Sequence, residues 1–436
     1  MTRPTAPTRI LLCALLLSAL LAVAATPLAA QQVEFRTAIE LALKHSGAMR
    51  AASADRSRAA SRYHAERDAF YPTIVFGVNP GYSFGTAITV AGQVPSIFNI
   101  SHSQTLFNFA VNDLVKAAHS DSISADIDYT DRADQAILDT SLLYIELDNT
   151  GRRLAVASEQ KQAVDHALYI AQQRQQEGVG SLLDSKRAEL DLARVELRID
   201  ELETSVDVLR ERLARAIGRP AASLSTVSDS IPTPPPLHTE EDLYSVALAN
   251  SAAVRVADER IRAARLRARA EHRVNYPSID LAGQYAQFAS YINYGLTQTP
   301  THNYSFAVNV HIPILNLSQN ARAAVADAEA MRAEADAQTL RDQVAADAVR
   351  AQHAIRQLEA FTKVSRLEYE VAQANIDAVQ FQVQNGHANA RDEEMAKADV
   401  ANRQVVLLQS QFEYLRAHLQ LLRQTGELHA WALGDK

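Results

Sequence analysis

The sequence predicts a mainly α-helical protein with a small β part, in which one unit of helix, strand hairpin and helical hairpin is written twice. Three observations lead there: a duplication that keeps its register along most of the chain, two very long stretches without proline, and short runs that alternate apolar with polar residues.

The duplication appears when Tyr71-Pro72 is set on Tyr276-Pro277, an offset of 205 residues (276 − 71). Ala42-Leu43 then falls on Ala247-Leu248, Ser46 on Ser251, Arg50 on Arg255 and Ala65-Glu66 on Ala270-Glu271. Past the strands the offset becomes 208 (316 − 108), which brings Asn108 onto Asn316, Gly178 onto Gly386, Asp184 onto Asp392 and Gly218 onto Gly426. Chance matches do not hold register over so many positions, so a duplicated unit is the simplest explanation.

Taken in order, residues 1–30 read as a secretory signal peptide. Arg3 and Arg9 precede an apolar run from Ile10 to Ala25, followed by Pro27-Leu28-Ala29-Ala30 and then the polar Gln31-Gln32. The run is shorter than the ~20 residues that span a bilayer, and cleavage is expected after Ala30. The one cysteine, Cys13, would leave with it, so neither a disulfide nor a lipid anchor is expected.

Residues 31–218 form the first repeat. Val33 to Ala69 lacks proline and reads as one helix, ended at Tyr71-Pro72 because proline pushes the residue before it out of the α region. Strands follow at about 72–107 and a helical hairpin at about 109–218. Residues 219–241 hold Pro220, Pro232, Pro234, Pro235 and Pro236, a density that no helix tolerates, and read as an extended linker.

The second repeat, 242–436, places strands at about 277–315 and a helical hairpin at about 317–426. Its cleanest strand alternates Tyr304, Phe306, Val308, Val310, Ile312 and Ile314 with Ser305, Ala307, Asn309, His311 and Pro313, so the two faces meet different surroundings. The proline-free runs 111–176 and 320–384 predict helices of ~100 Å, too long for a compact globule. The helices that return from them carry apolar residues at alternating spacings of three and four, through Val195, Ile199, Leu202, Val206, Leu209 and Leu213 and through Val405, Leu408, Phe412, Leu415, Leu419 and Leu422. That spacing is the seam of a coiled coil.

A net charge of −8, with 22% charged residues, leaves no basic patch for a nucleic acid. No phosphate-binding glycine loop, zinc-binding His-Glu-x-x-His or Gly-x-Ser-x-Gly occurs. His302 and His311 lie near one another in the last hairpin, but no acid or cysteine accompanies them, so no metal site is expected. Four strands per chain cannot close a barrel, and open edges in lipid leave backbone groups unpaired, so strands in a membrane must be pooled among chains. Three chains would give about 12, an even number within the range of such barrels, although strand counting does not choose three over four. Phe306, Val308, Val310 and Ile312 would then face lipid, with Ser305, Asn309 and His311 lining a wet lumen. Phe70, Tyr71, Tyr82, Phe84, Tyr276, Tyr291, Tyr294 and Tyr304 suit an interfacial aromatic girdle. A soluble sheet packed on a bundle shows the same alternation, which leaves a soluble periplasmic coiled-coil adaptor or scaffold as the alternative.

The combination resembles the outer membrane efflux protein (TolC-like) family over essentially the whole chain beyond the signal. The resemblance rests on the signal peptide, the duplication, Tyr71-Pro72 and Tyr276-Pro277 opening strands, Pro313 to Asn316 (Pro-Ile-Leu-Asn) closing one, and the turns Gly178 to Asp184 and Gly386 to Asp392. It implies a homotrimer with a 12-stranded outer-membrane barrel, continued by a long periplasmic α-helical coiled-coil barrel that performs no chemistry and binds no cofactor. It also implies a tripartite efflux or type I secretion assembly with a periplasmic adaptor and an inner-membrane transporter. By the same resemblance Gly178, Gly180, Ser181 and Gly386 belong to tips that touch the adaptor. Asp392 narrows the pore, and Tyr71, Pro72, Tyr276, Pro277 and Pro313 form the junction of strands and helices. The chain departs from the pattern in two places: Thr105 stands where a first-repeat partner of Pro313 would be, and Met395 stands where some members carry a second tip acid.

Overall fold

The computed structural model describes residues 31–78, 96–221, 224–236, 240–288, 302–314 and 316–434. The signal peptide, Tyr82, Phe84, Tyr291, Tyr294 and Leu315 lie outside the described residues.

The duplication is visible as equal lengths. Helix α1 (Phe35–His45) and helix α2 (Gly47–Asp68) have counterparts of the same length in α5 (Glu240–Asn250) and α6 (Ala252–Arg273). The long helices α3 (Phe109–Gln176) and α7 (Leu317–Gln384) both run 68 residues, and the returning helices α4 (Leu182–Ile217) and α8 (Ala390–Thr425) both run 36. A short α9 (Leu428–Leu433) closes the chain. At ~1.5 Å per residue each long helix measures about 100 Å.

The single helix expected over Val33 to Ala69 is in fact two. Ser46 interrupts it and caps α2, its hydroxyl accepting the Met49 N–H at 3.3 Å. Ser251 does the same for α6 through the Val254 N–H. A serine side chain satisfies a backbone donor that a new helix leaves open, and this is what makes the break affordable.

Among the described residues the strands form two sheets. Four of them, β2 (Thr73–Gly77), β3 (Ser96–Phe107), β5 (Ser278–Phe288) and β6 (His302–His311), make an antiparallel sheet in the order β2-β3-β5-β6, so the hairpins of the two repeats join side by side through β3 and β5. The other sheet is small: β1 (Gln31–Val33) pairs in parallel with β4 (Leu224–Thr226), a strand inside the proline-rich stretch, which is followed by a single 3-10 turn at Ser228–Ser230.

Below the four-stranded sheet the helices form one layer. α2 packs on α3, α3 on α6 and α6 on α7; further along, α4 packs on α3, α3 on α8 and α8 on α7. The long helices thus span the whole layer, while α2 with α4, and α6 with α8, fill the places beside them end to end. The main core lies where these ends meet, around the middle of α3. There Phe35, Tyr144, Leu213, Ile217, Leu419 and Leu428 are all fully buried. Phe35 stacks edge-on against both Tyr144 and Trp431, at 5.4 and 5.3 Å between ring centroids. The Tyr144 hydroxyl donates to the Val33 carbonyl at 2.7 Å and accepts the Val227 N–H at 2.7 Å, which ties β1 and the linker to α3.

Candidate functional site

Two regions hold the residues singled out by sequence: the turns of the helical hairpins and the junction of sheet and helices.

Both hairpins turn by the same device. α3 and α7 end in Gly178 and Gly386, each with φ +75°, a conformation open to glycine because it has no Cβ to clash. The next N–H reaches back five residues, from Val179 to the Arg174 carbonyl and from His387 to the Gln382 carbonyl, the pattern that satisfies the last open carbonyls of a helix. A Cβ at Gly178 or Gly386 would meet none of the described residues within 4 Å, whereas a Cβ at Gly180 would sit 2.7 Å from the backbone nitrogen of Gln175. Gly180 is therefore required by the turn itself, and Gly178 and Gly386 are required by their φ alone.

Ser181 caps α4, accepting the Leu183 N–H at 3.1 Å. Asp392 takes part in a reciprocal cap: its carboxylate accepts the Asn389 N–H and its own N–H donates to the Asn389 side chain, both at 3.1 Å. Glu393 and Glu394 both reach Lys397 at 3.0 Å. Partial burial pulls the Lys397 ammonium down, but its bonds to Glu393 and Glu394 outweigh that and raise it. The two turns are joined by Arg391, which reaches the Asp184 carboxylate at 3.1 Å, a pairing that sequence spacing gave no means to foresee. Around this acidic centre the tips are apolar and bare, with Val179, Leu182, Leu183 and Met395 all more than half exposed.

At the junction, Tyr71 and Tyr276 close the turns after α2 and α6, donating their N–H to the carbonyls of Asp68 and Arg273. Pro72 and Pro277 follow, and β2 and β5 begin one residue later. Tyr276 packs edge-on against Phe109, which in turn meets Phe107 at 4.5 Å. The two exits from the sheet differ. β3 runs to Phe107, immediately before Asn108 caps α3 through the N–H groups of Ala110 and Val111. β6 stops at His311, two residues short of Pro313, which has no N–H to give a ladder, and Asn316 then caps α7. Thr105 stays in its strand and donates to the Asp280 carboxylate at 2.8 Å.

The helices beneath the junction are locked by a carboxylate that sequence reasoning missed. Asp113 on α3 is fully buried and accepts two bonds from Arg269 and one from Arg273 on α6, each at 3.0 Å. His302 and His311 are not neighbours, since they stand at opposite ends of the ten-residue β6, some 30 Å apart at about 3.4 Å per residue. His302 instead bonds the Tyr285 hydroxyl at 2.9 Å. Among the described residues no group of three metal-binding side chains occurs, and no helix is long and apolar enough to cross a membrane.

Comparison with known proteins gives a consistent picture. The profile of outer membrane efflux proteins matches residues 38–219 and 243–427, one match for each repeat. Among solved structures, the chain is similar to a membrane protein from Pseudomonas aeruginosa, with 17% identity, a TM-score of 0.74, and 91% of this chain and 94% of that one covered. It is similar to the outer membrane protein VceC of Vibrio cholerae, with 17% identity, a TM-score of 0.72, and 90% and 96% covered. It also resembles the open state of the MtrE outer membrane channel of Neisseria gonorrhoeae, with 18% identity, a TM-score of 0.71, and 91% and 89% covered. No curated protein sequence is similar enough to count as a match.

Proposed function

Because the chain belongs to the outer membrane efflux protein family, and so is an efflux channel protein of the outer membrane and not an enzyme, we propose that it works as one of three identical subunits of a passive conduit. The conduit carries cargo from the periplasm to the exterior, as the outer-membrane part of a tripartite efflux or type I secretion assembly. A periplasmic adaptor and an inner-membrane transporter complete that assembly. Family membership speaks against the soluble adaptor or scaffold that the alternation alone left open.

The observation that carries the reading is the shape of the subunit's two sides. In the sheet, β2 and β6 each have one unpaired edge. The helix layer ends on the same two sides, with α2 and, further along, α4 on the side of β2 and with α7 on the side of β6. Those outer faces carry uncovered apolar residues: Leu183, Leu190 and Leu197, spaced by seven on α4, and Val364 and Val371, spaced by seven on α7. Unlike edges that complement each other favour a head-to-tail ring, and closing the ring satisfies strand edges that lipid cannot. Pooling four strands from each of three chains gives a barrel of about 12.

The bare tips suit an adaptor's helices, with Gly178, Gly180, Ser181 and Gly386 at the contact and Asp392 at the pore's narrow end. Three measurements test the reading. The mass of the detergent-extracted protein is expected to be that of three chains, and a monodisperse monomer extracted without detergent overturns it. Gly386→Trp strains an exposed turn held at φ +75° but its Cβ meets none of the described residues within 4 Å, so the strain stays at the tip and trimer yield is expected to remain nearly intact while export and adaptor crosslinking are abolished. Asp392→Ala is expected to raise single-channel conductance and weaken block by cations; unchanged conductance removes Asp392 from the pore.

A further inference from the structure

The four-stranded sheet has almost no charge. Its strands contain a single carboxylate, Asp280, no lysine and no arginine. Strand register decides which face that carboxylate takes. Asp280 lies opposite Thr105 on β3 and Asn309 on β6, and side chains two residues apart share a face. Its face therefore includes Ser101, Ser103, Gln284, Ser305 and Ala307, all small or uncharged and polar. The other face carries Ile74, Phe76, Leu281, Phe306, Val308 and Val310. In a barrel the apolar face meets lipid, so Asp280 belongs to the inner wall, in the first turn of strand above the helical conduit.

Resting on the channel reading above, we propose that Asp280 is the fixed charge that makes the β-barrel's lumen prefer cations over anions. Each subunit contributes one, so the ring repeats the charge around the axis. The one other titratable side chain on the described strands of that wall is His311, which lies diagonally across from it, opposite Ser278. The Thr105 hydroxyl holds one carboxylate oxygen at 2.8 Å, which fixes the position of the charge without neutralising it. The field must act across a wide, water-filled bore. It is felt over about 30 Å at 0.01 M salt but only about 3 Å at 1 M, so the preference should depend steeply on ionic strength.

The experiment measures reversal potential for purified channels in planar bilayers under a dilute potassium chloride gradient. An Asp392→Ala background keeps the tip carboxylate from masking the effect. Asp280→Asn keeps an oxygen to accept the Thr105 hydroxyl and removes only the charge. It is expected to lower the potassium-to-chloride permeability ratio by about three-fold or more in dilute salt, with the difference gone near 1 M. Thr105→Val removes the hydrogen bond and keeps the charge, so its ratio should match the parent's. His311→Gln, added to each, should leave the gap between Asp280 and Asn unchanged. Equal ratios for parent and Asp280→Asn in dilute salt overturn the proposal, as does a loss in Thr105→Val as large as in Asp280→Asn. If the unmutated protein forms no pore, the channel reading fails first, which is a distinguishable result.

Discussion

Single residues in this protein act most strongly where a polar group is buried. Asp113 has no exposed surface, yet its partners Arg269 and Arg273 remain partly open to solvent. Truncating it should therefore cost less than the 3–5 kcal/mol typical of stranding a buried charge, because the arginines can turn to water. Asp113→Ala is expected to destabilise by about 1–3 kcal/mol, measured as a lower midpoint for heat dissociation of the detergent-purified protein. His418 offers a test by pH. It is almost fully buried, with Tyr414 edge-on at 5.8 Å and no partner for Nδ1 among the described residues. Burial pushes its imidazole below 6.5, outweighing the bond to the Pro235 backbone and the fields of Glu427 and Glu359. The folded state thus resists a proton that the unfolded chain accepts at about 6.5. The stability this neutral histidine contributes is complete above that pH and is lost as pH falls below it toward the depressed folded value. Dissociation midpoints for the wild type should fall between pH 7.5 and 5, and more steeply than those of His418→Gln; parallel profiles would remove His418 from the account.

The seams of the returning helices carry the packing. Val195, Leu202, Val206, Leu209 and Leu213 on α4 are buried, as are Phe412, Leu419 and Leu422 on α8. Leu213→Ala, at a fully buried position, is expected to cost about 2–5 kcal/mol, read as an earlier denaturation midpoint with the helical signal retained beforehand. These seams were legible because a repeat of seven shows in the spacing of apolar residues alone. The long helices were legible because proline is absent until the turns and Gly151 is the single glycine inside them, and the register of the two halves because Tyr-Pro and Gly stand at matching places. What escaped the sequence was set by contacts between distant segments. The Ser46 break looks like any serine in an alanine-rich helix until its hydroxyl is seen on Met49. Asn108 and Asn316 could have been read as caps, since both directly precede a long helix and fall on one another in the duplication. The strand at Leu224–Thr226 had no such signal, because three residues among prolines become a strand only when β1 lies beside them. The Arg391–Asp184 pair joins residues 207 apart, and no periodicity reaches that far.

At the scale of the whole molecule, the two faces of the sheet must be unequal if it is to sit in lipid. Val308 and Asn309 are neighbours on β6 that point opposite ways. Val308→Arg places a charge against lipid, at about 2–4 kcal/mol near the midplane, and is expected to lower the yield of assembled protein. Asn309→Arg should assemble and alter conductance, and equal tolerance of the two would reverse the face assignment. The tie between β1 and the linker has a consequence for the order in which the chain folds. The Phe35 N–H bonds the Ser230 hydroxyl 195 residues later, and Tyr144 holds Val33 and Val227 together. Helices can form as soon as their own residues are present, but this knot needs the entire first repeat and the segment beyond it. Closing so long a loop is slow and carries little reward until the partners are in place. Protection of the Phe35 amide against hydrogen exchange should accordingly be among the last to appear during refolding, after α3 and α4 have paired, so that the seam between repeats serves as a timer for the completed subunit.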